Sequence, residues 1–312
     1  NMEDTEKLGA QIMADLKPDE KVLVIITRNY GYADPVLNMG IPNILISKGY
    51  KVMTLGYIPG MSLDISGDYP NMYWPFGDHL LAGAKLIANH PNLYAVYLTN
   101  HGCGPDTLVN HMFREEMGDK PYLQIEVDEQ YSAVGIITRI EAFLNSISHR
   151  PPVELPKNFN ILDVKMKKAN IKSRPDKNKK LYLPDLGIYR WFLSAYFEKC
   201  GYKVGYLNEF SRELLMKGRA ETNSKEYLPF SVLLGGILEA IEREGENRGN
   251  IQFLIPFNEG ADADGQYARA IRTVLDRKGY EDVDVIAPML ERLPVEAEDP
   301  DLLMRALVAG DI

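Results

Sequence analysis

LYAVYLTNHGCGPDTLVNHMFREE, residues 93–116, decides how the chain is read. Leu93 to Leu98 is an apolar run of strand length, and His101 to Gly104 is a glycine-punctuated turn. Pro105 and Asp106 open a helix, because proline suits a first helical turn and an acid favours a helix N-terminus. Cys103 therefore falls at a strand-to-helix turn. In open α/β sheets ligands bind in the crevice beyond the carboxyl ends of the strands, where a helix N-terminus offers free N–H groups and a positive dipole end. A thiol there is placed for chemistry, and a small residue is equally what a tight turn accepts; the local sequence leaves both readings open.

Working outward, residues 3–16 read as a leading helix, and Val22 to Thr27 as a β-branched strand buried on both faces, ending in the polar Arg28, Asn29 and Tyr30. A helix from Pro35 to Lys48, closed by Gly49, and a strand from Lys51 to Gly56 make a β-α-β unit. Residues 57–76 form a long loop whose aromatics, Tyr57, Tyr69, Tyr73, Trp74 and Phe76, are expected to pack over the sheet. A helix from Asp78 to Asn89 leads to the central strand; a strand from Tyr122 to Val127 and a helix from Ala133 to Ser146 complete a first lobe, residues 1–148.

Residues 149–180 change character. Pro151, Pro152 and Pro156 come early, and nine Lys or Arg stand against three acids within 151–180, the pattern of a basic linker with a solvated surface. The second lobe, residues 181–312, repeats the first: strand Leu181 to Pro184, helix Tyr189 to Lys199, then GYKV at 201 as at 49. A helix over Ser231 to Glu244, a strand over Ile251 to Pro256, a loop at 257–266, a helix over Tyr267 to Lys278 and a strand over Val283 to Ala287 follow. The expected fold is α/β, with two similar Rossmann-like or flavodoxin-like parallel-sheet lobes related by internal duplication.

Composition bounds the function. At 312 residues and 45% hydrophobic content the chain can bury two cores, and a net charge of −9 argues against a general nucleic-acid binder while leaving room for a local basic patch. No apolar run reaches membrane-spanning length and no signal peptide is visible, so the expected location is cytoplasmic. Two cysteines, Cys103 and Cys200, make no disulfide framework, and no C-x-x-C or H-E-x-x-H spacing marks a zinc site. The start at Asn1 ahead of Met2, and the stop at Ile312 soon after a helix begins at Asp301, point to a region excised from a longer protein.

Six stretches, DPVLNMGIP (34–42), DYPNMYWPFG (68–77), LYAVYLTNHGCGPD (93–106), YLQIEVDEQYSAVGIITRIEAFL (122–144), SKEYLPF (224–230) and DGQYARAIRTVL (264–275), occur in the order of a known family. The chain resembles the 2-hydroxyacyl-CoA dehydratase and CoA enzyme activase-related proteins, in the region that follows the ATPase module of the large activase-like members. The resemblance implies an ATPase module or a dehydratase subunit as partner, a CoA thioester as ligand, and lobes whose cysteines hold a cubane iron–sulfur cluster. Cys103 matches the cysteine of the GCGPD motif, whereas Tyr227 and Asp262 stand where the family has two further cysteines. Cys200 matches a packed helix-end cysteine.

Cubane clusters are held by thiolates, and carboxylate or phenolate is a rare substitute, so Cys103 alone cannot hold one. The cofactor is therefore unknown, with a cluster absent or incomplete. The family expectation is that Cys103, Tyr227 and Asp262 converge on one cofactor-binding site, with Cys103 as its metal ligand. An accessory or degenerate activase-like module is the leading expectation; an iron–sulfur electron-transfer or dehydratase component and a CoA-ester or nucleotide binding module are the alternatives, and enzymatic activity stays open. Further candidates are a His101–Cys103 pair, the acids Asp128 and Glu129 at a strand end, a surface or inter-lobe ion pair from Arg139 or Glu141, and a calcium-like loop at 258–265.

Overall fold

The computed structural model describes residues 2–100, 103–128, 132–156, 158–166, 168–222, 226–258, 260–290, 292 and 297–311. Among these residues nine strands form two all-parallel sheets, and the chain divides into two compact units, residues 1–68 with 74–167 and residues 69–73 with 168–312. The α/β class with two parallel-sheet lobes, expected from the sequence, is what the chain adopts.

The first unit is built on β1 (Val22–Ile26), β2 (Lys51–Thr54), β3 (Leu93–Asn100) and β4 (Leu123–Val127), in the order β2-β1-β3-β4. β1 is buried at all five positions because it lies between β2 and β3, with Val22 opposite both Lys51 and Leu93. Its helices are α1 (Met2–Ala14), α2 (Ile41–Ser47), α3 (Pro75–Asn89), α4 (Gly104–Met117) and α5 (Ala133–Ser148). Ile41 and Leu45 of α2 and Ile136, Ile140 and Phe143 of α5 pack with Leu23, Ile25, Val96 and Ile125 in one core. On the other side α3 and α4 pack together, and Tyr97 of β3 meets Phe113 of α4 at 4.9 Å between ring centroids.

The second unit has β5 (Ile171–Lys172), β6 (Lys180–Leu183), β7 (Val204–Tyr206), β8 (Ile251–Leu254) and β9 (Asp284–Ile286), in the order β5-β9-β8-β6-β7. Without the edge strand β5, this is the order of the first sheet. α6 (Tyr189–Lys199) and α10 (Pro300–Asp311) pack on each other, and α6 and Leu303 of α10 share a core with Leu181, Leu183, Leu254 and Ile286. α7 (Arg212–Glu221), α8 (Leu228–Glu244) and α9 (Tyr267–Arg277) complete the unit. A buried side-chain amide pins the turn before the central strand in both units. Asn92 Nδ2 donates to the Lys17 and Glu20 carbonyls, and Gln252 Nε2 to those of Asp176 and Lys179.

The recurrence of GYKV has a local cause. Gly49 and Gly201 take φ of 87° and 90° just past α2 and α6, and the following tyrosine N–H reaches back to Leu45 or Phe197, closing each helix with a left-handed cap. Gly279 and Tyr280 close α9 in the same way, so the shared residues follow from how these helices end. The likeness of the two units is one of strand order.

Three elements differ from the sequence expectation. Residues 34–40 turn instead of forming the first part of a helix, because Asp34 Oδ1 accepts from the Val36 and Leu37 N–H groups and Met39 and Gly40 take φ of 53° and 64°. α7 was not anticipated: its sequence RELLMKGRAE is polar on average, and its clearest signal is Ser211, whose hydroxyl caps the Leu214 N–H at 3.2 Å. Part of the basic stretch is structured, since Ile171 pairs with Val285, and Lys172 and Lys179 both bind the buried Asp284, at 2.7 and 2.9 Å.

α7 and α8 meet without side chains between them. A Cβ on Gly218 would lie 1.7 Å from the Ser231 carbonyl oxygen, and one on Gly235 would lie 1.9 Å from that of Leu214. Only glycine allows this approach.

Candidate functional site

In a doubly wound sheet the loops after neighbouring strands diverge where the strand order reverses, and the gap between them receives ligands. In the first unit that point lies between β1 and β3. β1 delivers Thr27 and Arg28; β3 leads to Cys103, the N-cap of α4, and to Asp106 in its first turn. Arg28 Nη2 and Nε donate to Asp106 Oδ1 at 2.7 and 3.0 Å, and Nη2 also donates to Cys103 Sγ at 3.2 Å. The guanidinium carbon sits 3.3 Å from the Phe76 ring centroid. Burial works against the charge on Arg28, but Asp106 and then Cys103 more than offset it, and its pKa lies above the ordinary value.

Tyr97 and His79 complete this crevice. The Tyr97 hydroxyl is buried without a hydrogen-bond partner, and burial, followed by the charge of Asp106, drives its pKa well above the usual phenol range. His79 Nε2 is likewise buried and unpaired, and burial lowers its pKa. The space that Arg28, Phe76, His79, Tyr97 and Asp106 leave is about 10 Å³, room for about one water.

The second unit has its switch point between β6 and β8. Pro184 and Asp185 follow one strand, Ile255 and Pro256 the other, and the first turn of α8 and the segment Asp264–Tyr267 face them across a cavity of about 580 Å³. Tyr227 is the N-cap residue of α8, with its side chain exposed, and Asp262 caps a short 3-10 turn by accepting from the Ala263 N–H at 2.7 Å. Burial, and then Asp264, Tyr227, Asp262 and Glu226, raise Tyr267 to about 12. Tyr227 and Asp262 thus share the surroundings of Tyr267, while Cys103 belongs to the first unit.

The other candidates fall as follows. Cys200 caps the C-terminus of α6 and packs against the second unit's core. Asp128 follows β4 and is half-buried; Glu129, His101 and Gly102 lie outside the described residues, as does Glu259 of the loop at 258–265. In that loop Asp264 Oδ2 accepts from Asn258 Nδ2 at 3.0 Å, and among the described residues no three His, Cys, Asp or Glu side chains converge as metal ligands would. Arg139 donates to the Gln124 carbonyl, and Glu141 pairs with Lys48 on the surface. Trp74 is buried and Phe76 carries Arg28, so these aromatics of the long loop do pack, whereas Tyr69 and Tyr73 belong to the second unit.

The donor set does not fit a cubane cluster. Such a cluster takes four thiolates as a rule, and the chain has two cysteines, one in each unit, with Cys103 already accepting from Arg28. From the sequence Arg28 reads only as a polar residue at a strand end, since its partner Asp106 is 78 residues away. The one local signal is its position just after the first strand.

Two parallel sheets, each with a crevice at the point where its strand order reverses, define a doubly wound α/β protein. Residues 1–58, from α1 through β2, match the family model described as the CoA enzyme activase uncharacterised domain (DUF2229), so this stretch is similar to that domain. No curated protein and no solved structure matches the chain. Among the described residues no helix is long and apolar enough to cross a membrane.

Proposed function

We propose that the chain serves a CoA enzyme activase-type system as an accessory module that holds no complete iron–sulfur cluster of its own, and that it acts by docking with a partner enzyme of that system. The observation that carries this reading is the engagement of Cys103. The thiol at the family's cluster position accepts a hydrogen bond from Arg28, which is itself bound to Asp106 and stacked on Phe76. A guanidinium in that place adds positive charge and bulk where a cluster would need open space and further thiolates. The residues matching the remaining ligand positions, Tyr227 and Asp262, offer oxygen donors that suit iron–sulfur chemistry poorly.

The test is anaerobic reconstitution of the whole chain with ferrous iron and sulfide, followed by desalting and metal analysis. Iron far below one cluster per chain, with no broad visible absorption, is the expected outcome. Stoichiometric iron and sulfide would overturn the reading and favour an electron-transfer component.

A further inference from the structure

The second unit has another cavity, lined by residues that belong to neither switch-point crevice and outside the accessory role proposed above. Its volume, about 420 Å³, falls in the usual range for small-molecule sites, and all of its described lining comes from one unit. It lies where three strands end: Ser173 follows β5, Leu254 closes β8, and Pro288 comes two residues after β9. Tyr196 and Phe197 of α6, with Tyr202, give it an aromatic wall. The wall is one packed cluster, with Phe197 edge-on to Tyr196 at 5.1 Å and to Tyr202 at 5.7 Å between ring centroids. Rings fixed in this way offer a preformed surface for a flat ring of a ligand.

The polar lining selects the charge of that ligand. Glu298 is the one acid among the described lining residues, and both its oxygens are engaged: Lys177 Nζ lies 2.7 Å from Oε2, and the Tyr202 hydroxyl donates to Oε1 at 2.5 Å. Those two contacts, and more weakly the charge of Arg174, hold the Glu298 carboxyl below its usual range, so at neutral pH it is ionised and already balanced. Arg174 differs. It lines the cavity and is exposed, and among the described residues no carboxylate or carbonyl accepts from it. A guanidinium left in that state presents a planar fork of N–H donors, the geometry that a carboxylate fills with two parallel bonds. An ammonium ligand would meet the charge of Arg174 and find Glu298 taken, and an alcohol would leave the fork half used.

We propose that this cavity binds a small aromatic carboxylate, whose carboxylate accepts from Arg174 while its ring lies against Tyr196, Phe197 and Tyr202. Three probes of one shape and different heads, 3-phenylpropionate, 3-phenylpropanol and 3-phenylpropylamine, test it by calorimetric titration of the whole chain near neutral pH. The carboxylate should bind at least about fivefold more tightly than the alcohol, the ratio expected for one Arg–carboxylate pair facing solvent, and the amine should be the weakest. Arg174→Gln should bring the carboxylate to within about twofold of the alcohol and leave the alcohol unchanged. Ala297→Phe, which places a ring in the cavity, should weaken both. Binding of the amine as tight as the carboxylate, a carboxylate preference that survives Arg174→Gln, indifference to Ala297→Phe, or no binding of any probe at about 10 mM would overturn the proposal. Circular dichroism reports whether each variant folds; if Ala297→Phe does not, the probe ranking and its loss in Arg174→Gln, a change at an exposed position, decide the matter.

Discussion

At the first unit's switch point the strand ends leave about 10 Å³ between them and at the second about 580 Å³, although both sheets follow one strand order. The difference lies in the residues that follow the strands. After β1 comes Arg28, and the segment after β3 supplies Asp106; the long guanidinium arm reaches across to the carboxylate and closes the gap. After β6 and β8 come Pro184 and Pro256, which carry no N–H and no group able to bridge. One topology therefore accommodates a closed, charge-tied crevice in one unit and an open, largely apolar one in the other.

The comparison breaks most sharply at the scaffold of the open crevice. α8 forms one wall of it, and α7 holds α8 through the glycine contact; Gly235→Ala puts a methyl group 1.9 Å from a backbone oxygen, and a loss of about 3 kcal/mol or more is expected in urea unfolding. Next comes the tie in the closed crevice. Arg28→Met leaves Asp106, with a side chain 6% exposed, without its cation and should cost about 2–3 kcal/mol; a change under about 0.5 kcal/mol would mean that the pair does not hold the crevice shut.

Acid tests whether buried titratable groups also tie the far end of the first unit. Burial, and then the charge of Lys120, push His90 down to about 4, and its Nδ1 accepts from the buried Asn92 N–H at 3.2 Å. The folded protein thus resists a proton that the unfolded chain takes up near pH 6.5. Stability is whole above that pH and is lost as pH falls toward about 4, by about 3 kcal/mol in all. His90→Gln should flatten urea midpoints measured between about pH 7 and about pH 4.5 relative to the unaltered chain.

The smallest effect has opposite signs in the two crevices. Beside the closed one, Gly31→Ala sets a Cβ 2.7 Å from Thr27 Oγ1 and should destabilise by about 1 kcal/mol. In the open one, Gly236→Ala meets Leu207 at an ordinary 3.5 Å within α8 and should stabilise by about 0.5–1 kcal/mol through helix propensity. Thermal unfolding of the two variants reads the contrast directly, and a shared sign would remove it.

The strands were legible because β-branched and apolar runs such as VLVII and IQFL are buried on both sides, and α6 was legible to the residue because Gly201 marks its end. The segment 34–40 was misread because its polar side chains compete for backbone groups, which periodicity does not register. At the candidate site the position of Cys103 could be read locally, as a strand followed by a helix start. Its tie to Arg28 could not, since that bond depends on which strands become neighbours.

β1 lies between β2 and β3, and that placement bears on how the family match can be used. Residues 1–58 stop after β2, so the matched stretch carries β1 but not the strand that covers its other edge. Expressed by itself, it would present Val22–Ile26, five consecutive apolar residues, as an unpaired strand edge, the template on which chains add to one another. The stretch that matches the family model is thus expected to aggregate when cut out, and a fragment that covers both edges of β1 runs at least through β4 and α5.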